Sequence, residues 1–247
     1  MKRIIKCCLT VALGFAVAGC SEDGGHKKVQ LWKYGPYWAE TNVGAEMPWE
    51  SGYYFWWGDT IGYKYEDGKW VASDWPSVTG DWSSSSFSFE SRHVPTCDKE
   101  ESDLRHEGWI TADGVLAPKH DAAHAHWGGK WRMPTKQELD ELCNKCDWEW
   151  TTLNGVSGYF VRGRNDYASA SIFLPCAGEG NETSLRAAGS CGYYWSSVRP
   201  SDDRYNRACH AWGLYFGSSD RSTYRSTSGS YRGNGQSVRP VQEGFTQ

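Results

Sequence analysis

Between residues 191 and 241 the chain alternates two kinds of segment that cannot share one environment. GYYWSS, AWGLYF and QSVRPV are short, aromatic or β-branched, and read as strands with an apolar face. Between them run Arg, Asp, Ser, Tyr, Asn and Gly in proportions that no dry core accepts. Such a segment must divide its labour: the strands serve as scaffold and the intervening polar residues as surface. Along AWGLYF the pleat puts Ala211, Gly213 and Tyr215 on one face and Trp212, Leu214 and Phe216 on the other. Trp212, Leu214 and Phe216 are therefore expected in the core.

The rest of the 247 residues supplies what such a surface needs beneath it. The chain carries 15 Trp, 14 Tyr and 28 Gly. That suits a loop-rich β or α+β domain whose core rests on large planar side chains. Trp32, Trp38, Trp49, Trp56 and Trp57 crowd into residues 31–80, a β-rich opening, and read as core. A mean hydropathy of −0.67 excludes a polytopic membrane protein. A net charge of −4 gives no bulk attraction to nucleic acid, and no nucleic-acid partner is expected.

The first residues read as a targeting segment. Met1, Lys2, Arg3 and Lys6 make a basic start, and residues 7–18 form an apolar stretch too short for a stable membrane span. Val17-Ala18-Gly19-Cys20 resembles a bacterial lipobox. The expected division is a signal peptide over residues 1–19, a lipidated Cys20 with a polar tether over 20–30, and one domain over 31–241. Ser21-Glu22-Asp23 resembles an acidic export tag. The expected location is the outer membrane, lipid-anchored and facing the cell exterior.

Residues 81–116 mix a serine run, charges and single apolar residues and read as an insertion or long surface loop. Glu100, Glu101, Asp103 and Glu107 lack the spacing of a calcium loop and read as solvated. Pro118 through Trp127 suggests a short helix or turn. His120, His124 and His126 share metal-ligand spacing there, but no orienting partner accompanies them, and no metal or cofactor is expected. In WRMPTKQELDELCNKC, Thr135 and Glu138 fit a capping box ahead of a helix of about three turns with Leu139, Leu142 and Cys146 as its apolar stripe. Asn154-Gly155 signals a turn, with GYFVRG and SIFLPCAG as hairpin arms. Six cysteines remain beyond residue 20, namely Cys97, Cys143, Cys146, Cys176, Cys191 and Cys209. Their pairing is open to 15 combinations.

WGGKWRMPTKQELDEL, NGVSGYFV, SIFLPCAG, GYYWSS, AWGLYF and QSVRPV, in this order, resemble the Fibrobacter succinogenes major paralogous domain. That family is similar to the formylglycine-generating branch of the C-type lectin-like fold. The resemblance covers residues 31–241. It implies an α+β domain of two helices beside short, twisted antiparallel sheets, with long loops making the ligand face. The last fifty residues also resemble the variable region of lipoproteins diversified by retroelements. There, mutagenesis of adenines, mostly in Asn-type codons, yields Asp, Ser, Tyr, His, Arg, Cys, Gly, Thr and others, but not Lys, Glu, Gln, Met or Trp.

The composition of residues 191–241 can be set against that pattern. Lys, Glu, Gln and Met make up 35 of the 247 residues, yet residues 197–235 contain none of them. Arg is abundant in the same window, and Trp212 must then be a fixed framework position. The expected binding face is Arg199, Ser201, Asp202, Asp203, Arg204, Tyr205, Arg207, His210, Asp220, Arg221, Tyr224, Arg225, Tyr231 and Arg232, for an unknown protein or glycan ligand. Tyr and Arg dominate binding hot spots, and Ser, Gly and Asn add adaptable hydrogen bonding.

Two alternatives have less behind them. A formylglycine-type enzyme needs a matched C-terminal cysteine pair, for which Cys191 and Cys209 are the only candidates, and neither stands in the context of those enzymes. No other catalytic set is placed, so no enzyme is expected. A structural or fimbrial surface component is the second alternative. Calcium-dependent sugar binding lacks its Glu-Pro-Asn and Trp-Asn-Asp signatures.

Overall fold

The computed structural model describes residues 25–74, 87–89, 94–97, 99–200, 209–217 and 225–244, with the backbone alone for 225–228. The expected signal peptide and the lipidation residue Cys20 lie outside these residues. In chain order the first strands are β1 (Lys28–Gln30), β2 (Tyr37–Ala39), β3 (Tyr63–Glu66) and β4 (Lys69–Ala72). Three helices follow: α1 (Glu101–His106), α2 (Ala122–Trp127) and α3 (Lys136–Lys145). Next come β5 (Asp147–Leu153), β6 (Val156–Arg162), β7 (Ser171–Pro175), β8 (Glu179–Asn181) and β9 (Ser184–Arg186). The last are β10 (Cys191–Trp195), β11 (His210–Gly217), β12 (Arg225–Tyr231) and β13 (Val241–Gln242). This is a mixed α+β arrangement of short antiparallel sheets with three helices among the described residues, one more than expected. No helix among them is long and apolar enough to cross a membrane.

Helix α3 starts where its capping box dictates. Thr135 Oγ1 accepts from the Glu138 N–H at 3.2 Å, and Glu138 Oε2 accepts from the Thr135 N–H at 2.7 Å. The same carboxylate takes a two-pronged contact from Arg132 at 2.8 and 2.7 Å. Leu139, Leu142 and Cys143 are its buried face, with Cys146 buried as the residue that ends it. That face packs on Trp38, Tyr159 and Val161. Each leucine so buried contributes about 1.5–3 kcal/mol.

The turn at Asn154 and Gly155 closes β5 onto β6. Both residues take positive φ, +49° and +82°, as a tight hairpin turn with the twist of its strands requires. The expected arms GYFVRG and SIFLPCAG pair as β6 and β7, so the hairpin becomes a three-stranded sheet in the order β5-β6-β7.

Residues 235–241 are the thread that the rest of the fold is tied to. Gly235 pairs with Gly180, Gln236 with Phe55, and the Ser237 carbonyl accepts from the Trp195 N–H at 3.0 Å. The Val238 carbonyl accepts from Val43 at 3.0 Å, and that of Pro240 from Ala39 at 2.9 Å. Val241 ends the thread between Trp38 of β2 and Arg132. The order β1-β2-β13 therefore joins the first and last strands of the domain.

Two indoles lock the aromatic opening onto this centre. Trp57 Nε1 donates to the Ser196 carbonyl at 3.0 Å, and Trp195 Nε1 donates to the Phe55 carbonyl at 2.8 Å. Trp32, Trp38, Trp56 and Trp57 are buried as expected, whereas Trp49 is only half-buried.

Residues 81–116 depart from the expected surface loop where they are described. Phe89, Val94, Leu104, Trp109, Ile110 and Leu116 are all buried. The Phe89 ring is wedged against Gly180 and Gly235, where a Cβ on either glycine would stand 2.5 Å from it. The acidic run is the start of α1: Glu100 and Asp103 form its capping box, Glu101 pairs with Arg105, and Glu107 pairs with Lys99. Single apolar residues in a polar stretch lacked periodicity, so their burial was not readable.

Candidate functional site

Strands β10, β11 and β12 form one antiparallel sheet, with Tyr194 opposite Leu214 and Phe216 opposite Arg225. Leu214 and Phe216 point into the core with Tyr159 and Tyr194. Phe216 lies over Gly192, where a Cβ would approach its ring to 2.1 Å. Trp212 shares their face but is half-buried, because the strand there passes the start of α3 and Lys136 Nζ lies 4.9 Å over its ring. Ala211, expected outside, is fully buried in the cluster around Phe55, Trp57 and Trp195. The middle strand of a sheet covered on both sides hides residues of both faces. Tyr215 does remain half-exposed, its ring 5.0 Å from Tyr193 of the neighbouring strand.

Of the expected face, Ser201, Asp202, Asp203, Arg204, Tyr205, Arg207, Asp220, Arg221 and Tyr224 lie outside the described residues. Arg225 opens β12, with only its backbone described. His210 and Tyr231 face each other across β11 and β12, rings 4.2 Å apart, with Tyr231 54% exposed. Tyr231 is thus an exposed ring at the rim of the sheet, lying against a half-buried His210.

Arg199 and Arg232 differ from expectation: both are inside. Arg199 is 7% exposed and lies 3.7 Å from the Glu100 carboxylate and 3.6 Å from that of Glu101. Arg232 is fully buried. Its Nε donates to the His210 carbonyl at 2.9 Å, its Nη1 donates to the Thr96 carbonyl, and its guanidinium lies 4.8 Å over the Trp57 ring. Burial first, and the nearby Arg199 charge second, lower its pKa to about 10. Arg232, just past β12, therefore holds Thr96, and Arg199, a few residues past β10, holds Glu100 and Glu101. Glu100 and Glu101 were missed as partners, because nothing local in the sequence links them to an arginine so far along the chain.

The cysteines of the enzyme alternative are far apart along the sheet. Cys191 is opposite Gly217, eight residues along the strand from Cys209. At about 3.3 Å per residue that is roughly 26 Å. The three histidines each donate to a different carbonyl: His120 to Gly58 at 3.2 Å, His124 to Trp131 at 3.3 Å and His126 to Thr60 at 2.8 Å. His120 and His126 thus fasten to the same 58–60 loop, while His124 turns to Trp131.

No family model, curated protein or solved structure matches this chain.

Proposed function

We propose that the chain is a lipid-anchored binding protein of C-type lectin-like fold, similar to the Fibrobacter succinogenes major paralogous domain. In this reading its last fifty residues carry a retroelement-diversified face for a protein or glycan ligand, displayed at the outer membrane. One observation carries the reading. Residues 197–235 lack Lys, Glu, Gln and Met, and they are strung on strands whose buried sides are fixed. Leu214, Phe216 and Ala211 hold β11 from inside, while the residues between the strands are of types that hypermutated Asn-type codons supply. A face of this design changes its contacts while its support stays constant. The exposed Tyr231 beside His210 has the stiff aromatic character of a binding anchor.

Sequencing the locus across sibling isolates tests it. Differences should fall within residues 197–233 and leave 131–176 and 236–241 unchanged. Differences scattered evenly along the chain would overturn diversification.

A further inference from the structure

A cleft of about 730 Å³ opens between the 44–54 segment, β3 and the tips of the β5–β6 turn and β9. None of its lining residues comes from 197–235. Its wall contains Trp49, Tyr53 and Tyr65, each half-buried, with the carboxylates of Glu46, Glu50 and Glu66 and one ammonium, Lys64.

Trp49 is the odd member of the tryptophan set. Among the described residues, every other indole packs against a ring, lies under a cation or donates a hydrogen bond; Trp49 does none of these. A large apolar plane left without a partner in a cleft wall is a contact surface awaiting one.

Tyr53 is fixed in the same wall. A Cβ on Gly44 would stand 2.0 Å from its ring and one on Gly62 2.6 Å, so two bare backbones make its seat. Lys64 Nζ lies 5.3 Å over the ring. Glu50 is fixed as well: its Oε2 accepts from the Glu46 N–H at 2.8 Å and the Met47 N–H at 3.2 Å. Stiff aromatic planes beside oriented carboxylates cost little to order on binding.

We propose that this cleft binds an uncharged carbohydrate chain. A sugar ring presents an apolar face of C–H groups and a rim of hydroxyls, which match flat aromatic walls edged by fixed acceptors. Three carboxylates against one ammonium repel sulfated and uronic-acid chains. The site is independent of the C-terminal face, so its specificity is constant if that face varies.

The test uses the mature full-length domain and calorimetric titration. The neutral probes are the hexaoses of the cello, malto, manno, xylo and N-acetylchito series; a heparin-derived hexasaccharide and oligogalacturonate are the charged ones. At least one neutral series should bind, and the charged probes should not. Trp49→Ala and Tyr65→Ala should each weaken that binding at least about tenfold. Glu50→Gln, which keeps an oxygen to accept from the Glu46 and Met47 N–H groups and so preserves the turn, gives a second readout and should weaken it too. Tyr231→Ala on the C-terminal sheet should leave it unchanged. The proposal is overturned if no neutral series binds at about 1 mM, if the charged probes bind better, or if Trp49→Ala and Glu50→Gln both bind like the parent.

Discussion

Arg239 donates from Nε to the side-chain oxygen of Asn42 at 2.8 Å, across 197 residues of chain. Its Nη1 reaches the carbonyls of Glu40 at 2.9 Å and Ala39 at 3.2 Å, and its Nη2 that of Phe173 at 2.9 Å. No carboxylate takes part in these bonds, and the side chain is 1% exposed. Burial lowers its pKa to about 10, so it stays charged at neutral pH and depends on neutral acceptors. Arg239→Ala should cost about 3–5 kcal/mol, because it leaves four buried acceptors without their donor. Arg239→Lys should recover little, because one ammonium cannot span four acceptors. Urea unfolding measures both; a loss under about 1 kcal/mol for Arg239→Ala would refute this role.

Arg199 and Arg232 belong to the support, so they should behave unlike the residues between the strands. Arg232→Ser should cost about 3 kcal/mol or more, since it strips the His210 and Thr96 carbonyls and uncovers Trp57. Tyr231→Ser, at an exposed position, should shift stability by less than about 1 kcal/mol. Equal effects in thermal unfolding would contradict this division.

Gly192→Ala is predicted to destabilise by about 1–3 kcal/mol, because its methyl would meet the Phe216 ring at 2.1 Å. Phe216→Leu should relieve part of that cost in the double variant. Strict additivity of the two changes in chemical denaturation would show that the ring is not the obstacle.

Two buried groups should give opposite pH slopes. Burial raises the Asp121 carboxyl to about 6, against the pull of the His124 and Met133 N–H groups. The folded chain then keeps a proton that the unfolded chain releases, so this group lowers stability as pH rises from about 4 to 6. Burial lowers His120 to about 4, with the Gly58 carbonyl pulling the other way. The unfolded chain takes a proton that the folded one refuses, so this group lowers stability as pH falls from about 6.5 to 4. Asp121→Asn should leave the histidine slope exposed and make acid unfolding steeper, and His120→Gln should do the reverse. Each excursion is on the order of 3 kcal/mol. Parallel profiles for parent and both variants would contradict it.

Helix α3 was legible because its signals are local: Thr135 and Glu138 are three residues apart, and Leu139 and Leu142 share a face whatever surrounds them. The β6–β7 pairing was legible for the same reason. Arg199 and Arg232 were not, since an arginine in a polar run looks the same whether the fold closes over it or leaves it in water. What closes over them, Thr96 and Glu100 on one side and Trp57 on the other, comes from segments 99 to 175 residues away. Trp212 erred in the opposite direction: alternation gave its face correctly, but not that Lys136 of α3, rather than apolar side chains, covers it there. The cleft at Trp49 was hidden because five neighbouring tryptophans read alike, and only packing separates the four that are covered from the one that is not.

The thread at residues 235–241 also sets a timetable. Val43, Phe55, Arg132 and Trp195 each wait for a partner that the ribosome makes near the end of the chain. Until then β2 has no β13, and the Trp57 and Trp195 indoles hold an aromatic opening with no centre. Such long-range closure is slow, because the loops must be brought together before their contacts reward it. A chain made only as far as Trp195 thus lacks the segment that ties its sheets together, and residues 235–241 act as the clasp that shuts it.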